Sequence, residues 1–186
     1  MFIDLTGDQK ALQLELRSYF GDLMTPEMKA RVSNAEFAEN PEYKALIRQV
    51  GADGWLGVGW PLEYGGRGFT PVEQYIFFDE SQAAGCPIPF LSTNTVGPTI
   101  RRFGSDAQKD FFLRRILAGE MHFSIGYSEP DAGTDAANQH TTATRDGTGY
   151  RLNGRKVWVA NGEVADLLLV FAATEPGIGG RGVSAF

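Results

Sequence analysis

The sequence has little of what disulfide frameworks, metal centres and membrane spans require. It contains one cysteine, Cys86, and two histidines, His122 and His140. An internal disulfide is therefore excluded, and these residues show no recognisable metal-ligand spacing. No apolar run approaches the length of a membrane span. The first ten residues also lack the basic and apolar regions of a signal peptide. We therefore expect a cytoplasmic protein with no metal site and no membrane span.

Basic charge is scarce as well. The 17 Lys and Arg residues are outnumbered by 23 Asp and Glu, which gives a formal net charge of −6. This balance argues against binding of nucleic acid, because basic patches supply most of that affinity. The composition, 42% hydrophobic and 22% charged, is that of a globular protein rather than a disordered one. The length predicts one large domain or two small ones with a real core.

What the sequence does have, over its first two thirds, is a series of helix signals. Capping boxes, in which a hydroxyl residue precedes Gln or Glu by three positions, stand at 6–9, 70–73 and 105–108. After the first, apolar residues recur at steps of four, three and four, at Leu12, Leu16, Tyr19 and Leu23. Two further helices are expected at 40–51, which opens on Asn-Pro and closes on Gly, and at 96–104. Helices joined by short loops predict a bundle.

The pattern changes near residue 121. Residues 140–162 alternate in polarity and contain the turn dipeptides Asp146-Gly147 and Asn153-Gly154. The alternation predicts strands that continue through Trp158, and residues 166–174 form a further apolar strand. Helices followed by strands indicate an α+β fold or two packed domains.

Two features could be mistaken for phosphate-binding sites. The run "GIGGRG" at 177–182 matches G-x-G-x-x-G, but no helix pattern opens on it. We interpret it as a glycine-rich loop between strands. The pairs Arg101-Arg102 and Arg114-Arg115 could contact phosphates, but charge pairs on helices are more often solvated.

The most informative segments are "GYSEPDAGTD" at 126–135 and "NGRKVWVANG" at 153–162. Taken alone, Ser128 and Thr134 would be turn residues, and Trp158 would be a core residue of a strand. Together with "WLGVGWPLEYGGRGF" at 55–69, however, the two segments resemble the motifs of the acyl-CoA dehydrogenase family. The three motifs occur in family order, and the likeness spans nearly the whole chain.

The resemblance implies an N-terminal all-α helical bundle, residues 1–120, followed by an incomplete antiparallel β-barrel domain, residues 121–186. The family's C-terminal helical domain would be absent from this chain. The implied activity is FAD-dependent α,β-dehydrogenation of an acyl-CoA thioester, as in fatty acid β-oxidation and other lipid metabolism. The implied electron acceptor is electron-transfer flavoprotein, and the complete form would be a homo- or hetero-oligomer. A further likeness to members that act on bulky thioesters, such as steroid side chains, does not identify the acyl group.

The resemblance also assigns a cofactor site. According to this resemblance, the segment 125–134 lies along the isoalloxazine ring and the pyrophosphate of FAD. Ser128 supplies a hydroxyl to the carbonyl edge of the ring, Trp158 packs against the flavin, and Thr134 lies near both the cofactor phosphates and the substrate thioester. The expected cofactor-binding residues are Ile125, Tyr127, Ser128, Thr134, Trp158 and Ala160.

The chain departs from the family pattern in three places. Ala160 stands where most members carry Thr or Ser, Asp131 replaces a glycine, and the chain ends at Phe186, before the C-terminal domain that supplies the glutamate base in the family. No motif in these residues corresponds to the glutamate base, so no catalytic residue is assigned and the isolated chain is expected to be inactive. Two hypotheses follow: an N-terminal portion of an acyl-CoA dehydrogenase, which we favour, or a non-catalytic flavin-side subunit of a hetero-oligomer.

Overall fold

The computed structural model describes residues 4–33, 40–163 and 165–186, which divide into a helical unit ending at His122 and a β unit beginning at Phe123. Helices precede strands along the chain, so the predicted α+β class is confirmed. The helices are α1 (Gly7–Leu23), α2 (Pro26–Ser33), α3 (Pro41–Ala52), α4 (Pro71–Ala83), α5 (Gly97–Phe103) and α6 (Asp106–Leu117). The strands are β1 (Phe123–Gly126), β2 (Thr142–Asp146), β3 (Gly149–Asn153), β4 (Leu167–Ala173) and β5 (Val183–Ala185).

The helix starts follow from the capping residues. Thr6, Thr70 and Ser105 each begin a capping box at the start of α1, α4 and α6, as predicted. The Asn40 side chain accepts hydrogen bonds from the first-turn amides of α3. These side chains satisfy backbone donors that have no partner within the helix, and this fixes where each helix begins.

Helix α2 was not predicted. It begins at Pro26, after Thr25, whose hydroxyl oxygen accepts a hydrogen bond of 3.2 Å from the Met28 amide. The Thr-Pro pair at this point is the sequence signal from which the start of α2 could have been predicted. The helix is only eight residues long and, within the part whose side chains are described, only Val32 is buried, so it leaves almost no apolar periodicity.

Large apolar side chains form the core of the helical unit. Phe77 on α4 is 1% exposed, and its ring lies 5.6 Å from that of Phe20 on α1 and 6.3 Å from that of Trp55. Burial of such aromatic rings is a dominant source of stability. The core therefore joins α1 and α4 to the segment that follows α3.

That segment is the glycine-rich motif at 55–69. The guanidinium of Arg67 lies 3.6 Å from the centre of the Trp55 ring and donates to the carbonyl of Asp53 at 2.9 Å. The Trp60 indole donates to the Thr93 carbonyl at 2.8 Å, within a turn of π-helix that leads into α5. A Cβ at Gly66 would lie 2.1 Å from the Trp60 carbonyl oxygen, so only glycine fits there. The motif thus packs the loop closely against the helices.

The β unit is a mixed, open sheet. Strands β2 and β3 form an antiparallel hairpin, and β5 runs antiparallel to β4. Strand β4, however, runs parallel to β1, with Phe123 opposite Leu167, and parallel to β2 where Thr142 meets Ala173. The two local pairings are those expected of an antiparallel sheet, whereas the pairings distant in sequence are parallel. Among the described strands the sheet does not close.

The prediction that the second strand of the hairpin continues through Trp158 is wrong. Strand β3 ends at Asn153, and residues 155–159 form a loop. Trp158 has a φ of 57° and Asn161 a φ of 58°, which are left-handed conformations incompatible with a strand. The loop at 155–162, which we call the tryptophan loop, instead turns back toward the residues that follow β1.

Candidate functional site

The first motif forms a tight polar turn directly after β1. The amides of Glu129 and Ala132 each donate to the carbonyl of the other residue, at 2.9 and 3.2 Å. Pro130 and Asp131, at the tip between them, are exposed. Proline pre-sets the backbone of such a turn. The turn presents its tip outward while the Glu129 side chain points inward and is buried.

The second motif meets the first through the backbone and through Lys156. The Val157 amide donates to the Ser128 carbonyl at 2.9 Å. The Lys156 ammonium donates to the Tyr127 carbonyl at 3.0 Å, to the Glu129 carboxylate at 2.8 Å and to the Gln139 amide oxygen at 2.9 Å. The two motifs recognised in the sequence are therefore one structural feature.

Glu129 is the polar centre of this arrangement, and it was not among the site residues predicted from the sequence. Besides Lys156, its carboxylate accepts hydrogen bonds from the amides of His140 at 2.6 Å and Thr141 at 3.0 Å. Burial by itself would raise the pKa of this carboxyl, but the hydrogen bonds, above all that of Lys156, lower the pKa from 4.5 to about 2. Glu129 is therefore a fixed anion at any physiological pH.

This lowered pKa predicts an acid-sensitive β unit. Because the folded pKa of Glu129 lies below the unfolded value, its contribution is complete above about pH 4.5 and is lost as the pH falls toward 2. At about 1.4 kcal/mol per pKa unit, the loss amounts to about 3 kcal/mol. We expect urea unfolding, followed by NMR signals of the β unit, to show this loss between pH 5 and 2.5. The Glu129→Gln variant should lack that part of the pH dependence, and equal pH dependence in both proteins would contradict the assignment.

Trp158 stands at the outer end of the tryptophan loop. Its side chain is 90% exposed, which is unusual for the largest apolar residue type. Its left-handed backbone is a strained conformation of the kind that tends to occur at functional sites. An exposed indole on a loop tied down at its base can offer a flat apolar face to a ligand.

Ala160, also on this loop, is exposed, and its carbonyl accepts a hydrogen bond from the hydroxyl of Ser124 on β1. Ser124 is completely buried. Ser124 was not among the predicted site residues, because a serine within an apolar strand gives no sign of a partner so distant in sequence. The tryptophan loop is thus anchored to β1 and the turn after it at Lys156, Val157 and Ala160.

The remaining predicted site residues belong to the first motif but lie in different settings. Ile125 is 8% exposed within β1, so its side chain belongs to the interior of the β unit. The Tyr127 ring stacks on that of Phe171 at 4.3 Å and is 42% exposed. Ser128 is partly buried and Thr134 is exposed. Tyr127, Ser128 and the tryptophan loop are joined by direct hydrogen bonds, and the structure brings these three together.

Other sequence features take the roles expected of ordinary structure. The "GIGGRG" run is a loop with one short 3-10 turn that connects β4 to β5, as predicted.

Within residues 4–33, 40–163 and 165–186, no three His, Cys, Asp or Glu side chains are grouped as a metal site would require. None of the helices described over the same residues is long and apolar enough to cross a bilayer.

Comparison with known proteins supplies the context for this geometry. The family profile "Acyl-CoA dehydrogenase, N-terminal domain" matches residues 6–120, and "Acyl-CoA dehydrogenase, middle domain" matches residues 124–186. The acyl-CoA dehydrogenase FadE26 of Mycobacterium tuberculosis is 50% identical over 99% of this chain, which covers 48% of FadE26. The chain thus spans about half the length of the curated relatives it matches.

Two solved structures share the fold at full coverage of this chain. The ChsE4–ChsE5 complex from Mycobacterium tuberculosis matches with a TM-score of 0.92 and 50% identity, over 47% of the matched chain. The Tcur3481–Tcur3483 steroid ACAD matches with a TM-score of 0.91 and 39% identity, over 48% of the matched chain. With two domain profiles covering most of its residues and relatives of this similarity, the chain belongs to the acyl-CoA dehydrogenase family.

Proposed function

We propose that this chain contributes the N-terminal helical domain, residues 1–120, and the flavin-side β domain, residues 121–186, of an FAD-dependent acyl-CoA dehydrogenase. The reaction is the α,β-dehydrogenation of an acyl-CoA thioester. When bound, FAD accepts the hydride from the β carbon. The base that removes the α proton comes from outside these residues. Electron-transfer flavoprotein would be the external electron acceptor.

The observation that carries this proposal is the exposed Trp158 on a loop hydrogen-bonded to Ser128. A flavin is an apolar tricycle with a polar rim, and its site needs a flat apolar wall beside fixed polar groups. Trp158 supplies such a wall, and the Ser128 hydroxyl and the Ala160 amide are polar groups on the same tied segments. The residues present therefore fit a flavin.

The chain's own residues have separate tasks in this proposal. Trp158 excludes water from one face of the cofactor, and Ser128 donates a hydrogen bond to its polar edge. Ala160, lacking a hydroxyl, offers its backbone N–H. Thr134 lies near the phosphates and the thioester. Hydrogen bonds held in place before binding are the ones that can tune a bound cofactor.

Substitution of Trp158, which supplies the apolar wall, and of Ser128, which supplies the hydroxyl, tests the flavin site. Trp158→Ala should weaken FAD binding by about 1 kcal/mol beyond the buried area of the ring. Ser128→Ala should remove one neutral hydrogen bond, about 1 kcal/mol. Each change corresponds to a loss of affinity of about fivefold or more, measured by the change in FAD fluorescence on titration. Tyr150→Ala, an exposed aromatic of the β2–β3 hairpin, is the matched control. Unchanged affinity in both site variants would contradict the assignment.

A second candidate is a non-catalytic flavin-side subunit in a hetero-oligomer. Ala160 favours it, because the hydroxyl found in most members at this position is missing. The similar ChsE4–ChsE5 structure is a complex of two differently named proteins, which supports a paired arrangement for relatives of this kind. The Tcur3481–Tcur3483 relative is a steroid ACAD, so bulky thioesters are reasonable test substrates.

The two candidates differ in what completes the site. A dehydrogenase subunit binds FAD and reduces it with substrate when its own remaining domain is present. A partner subunit does so only after a homologous chain is added. Flavin bleaching by acyl-CoA thioesters of several sizes, with and without the homologue, distinguishes them.

A further inference from the structure

Glu129 and Lys156 are opposite charges buried inside the β unit. The side chains are 4% and 11% exposed, and each comes from a different sequence motif. A buried ion pair is weak evidence for a contribution to stability, because apolar side chains of similar volume often serve as well. What such a pair can add is a defined geometry.

The Lys156 ammonium group is held by hydrogen bonds to several residues of the first motif and the segment after it. This group has three protons, and the three acceptors are the Tyr127 carbonyl, Glu129 and Gln139. Glu129 is itself fixed by two backbone amides. The Lys156 side chain is therefore held from three directions by residues that follow β1.

Trp158 lies two residues beyond Lys156 and has no comparable support for its side chain among the described residues. The indole is 90% exposed, so the packing of the β unit does not orient it. The direction of the indole therefore depends on the backbone, which carries a strained φ of 57° at this residue. A strained conformation persists only where surrounding contacts hold it.

We propose that Glu129 and Lys156 are positioning residues that hold the left-handed conformation of Trp158 and so present the indole as the wall for the flavin. The identity of the ligand rests on the proposed function, whereas the positioning of Trp158 does not. Neither residue needs to touch the cofactor. Their role is to keep the tryptophan loop in one arrangement before the cofactor arrives, which reduces the ordering that binding would otherwise require.

The β unit contains a matched control pair. Arg151 and Asp146 on the β2–β3 hairpin also form an ion pair at 2.8 Å, the same distance as Lys156 and Glu129. Their side chains are 77% and 58% exposed, and an exposed pair of this kind contributes little. Arg151→Met therefore removes a cation of the same unit without disturbing the tryptophan loop.

The first experiment needs no cofactor. We would compare the backbone amide NMR signals of Trp158 and its neighbours in the wild-type chain, in Lys156→Met and Glu129→Gln, and in Arg151→Met. The two site variants should shift or broaden the Trp158 signal, and the control should leave it unchanged. An unchanged Trp158 signal in both site variants would overturn the proposal.

The second experiment measures FAD affinity in the same proteins. Because the pair acts on the cofactor only through Trp158, Lys156→Met and Glu129→Gln should lower the FAD affinity about as much as Trp158→Ala does, by about fivefold or more. The Arg151→Met control should bind as the wild type does. If the wild type itself bound no FAD, the proposed function would fail, and the amide signals would still decide whether the pair positions Trp158.

A double variant separates positioning from folding. Glu129→Gln with Lys156→Met leaves no unpaired buried charge at this site, so it should fold even if a single variant does not. The proposal predicts that this double variant regains stability but not the FAD affinity or the Trp158 signal of the wild type. Recovery of both properties would show that the pair serves the fold alone and would overturn the proposal.

Discussion

The 186-residue chain, saturated with FAD and supplied with acyl-CoA thioesters, is expected to show no steady turnover. The reaction needs a base for the α proton, and a positioned base contributes about 10²- to 10⁴-fold to the rate. Glu129 is the buried carboxylate of the segment 126–135, but its oxygens accept hydrogen bonds from Lys156 and two backbone amides. A pKa of about 2 also makes it a poor proton acceptor.

An artificial electron acceptor provides the readout, with substrates of several acyl sizes. A family member that carries its C-terminal domain, assayed in parallel, is the positive control. Steady turnover by the 186 residues alone would contradict the expectation. The exposed carboxylates Asp131, Asp135 and Glu163 would then be tested as the base by substitution to the matching amide.

Phe77→Ala is expected to cost the helical unit about 3–5 kcal/mol of unfolding free energy, the usual range for a buried large aromatic residue. The ring is 1% exposed and lies 5.2 Å from the Phe78 ring as well as near Phe20 and Trp55. Its removal leaves a cavity bordered by rigid rings, which cannot easily close. Since the total unfolding free energy of a native domain is about 5–15 kcal/mol, this loss is a large part of the stability.

Urea unfolding followed by circular dichroism measures the effect. Phe103→Ala is the matched control, because Phe103 lies on α5 of the same unit and is 74% exposed. The control should change the unfolding free energy by no more than about 0.5 kcal/mol. An equal effect of the two substitutions would mean that the core is not centred on Phe77.

The sequence predicted the helical unit well where local chemistry decides the structure. The capping residues Thr6, Asn40, Thr70 and Ser105 mark helix starts because each acts on amides within its own first turn. The hairpin turn at Asp146-Gly147 was predictable for the same reason. Helix α2 was missed because a short helix with little buried surface has almost no pattern.

The features that were not predicted depend on partners distant in sequence. Alternation in residues 155–159 suggested a strand, but hydrogen bonds from Lys156 and Val157 to residues after β1 hold this segment as a loop. No local rule indicates that β4 would run parallel to β1. The motifs identified the segments of the candidate site, whereas the pairing of Glu129 with Lys156 required the structure.

The pairing of β1 with β4 determines the order in which the β unit can assemble during synthesis. Phe123 is translated well before its partner Leu167, and at about 5–20 residues per second the interval lasts several seconds. Throughout that time β1 lacks its parallel neighbour, and the turn at Glu129 lacks Lys156 until the hairpin has also emerged. The helical unit precedes the β unit along the chain, so it emerges earlier and can fold first. The arrangement of Glu129 and the tryptophan loop is therefore completed late in biogenesis, and until then the apolar strand β1 is exposed to chaperones and to aggregation.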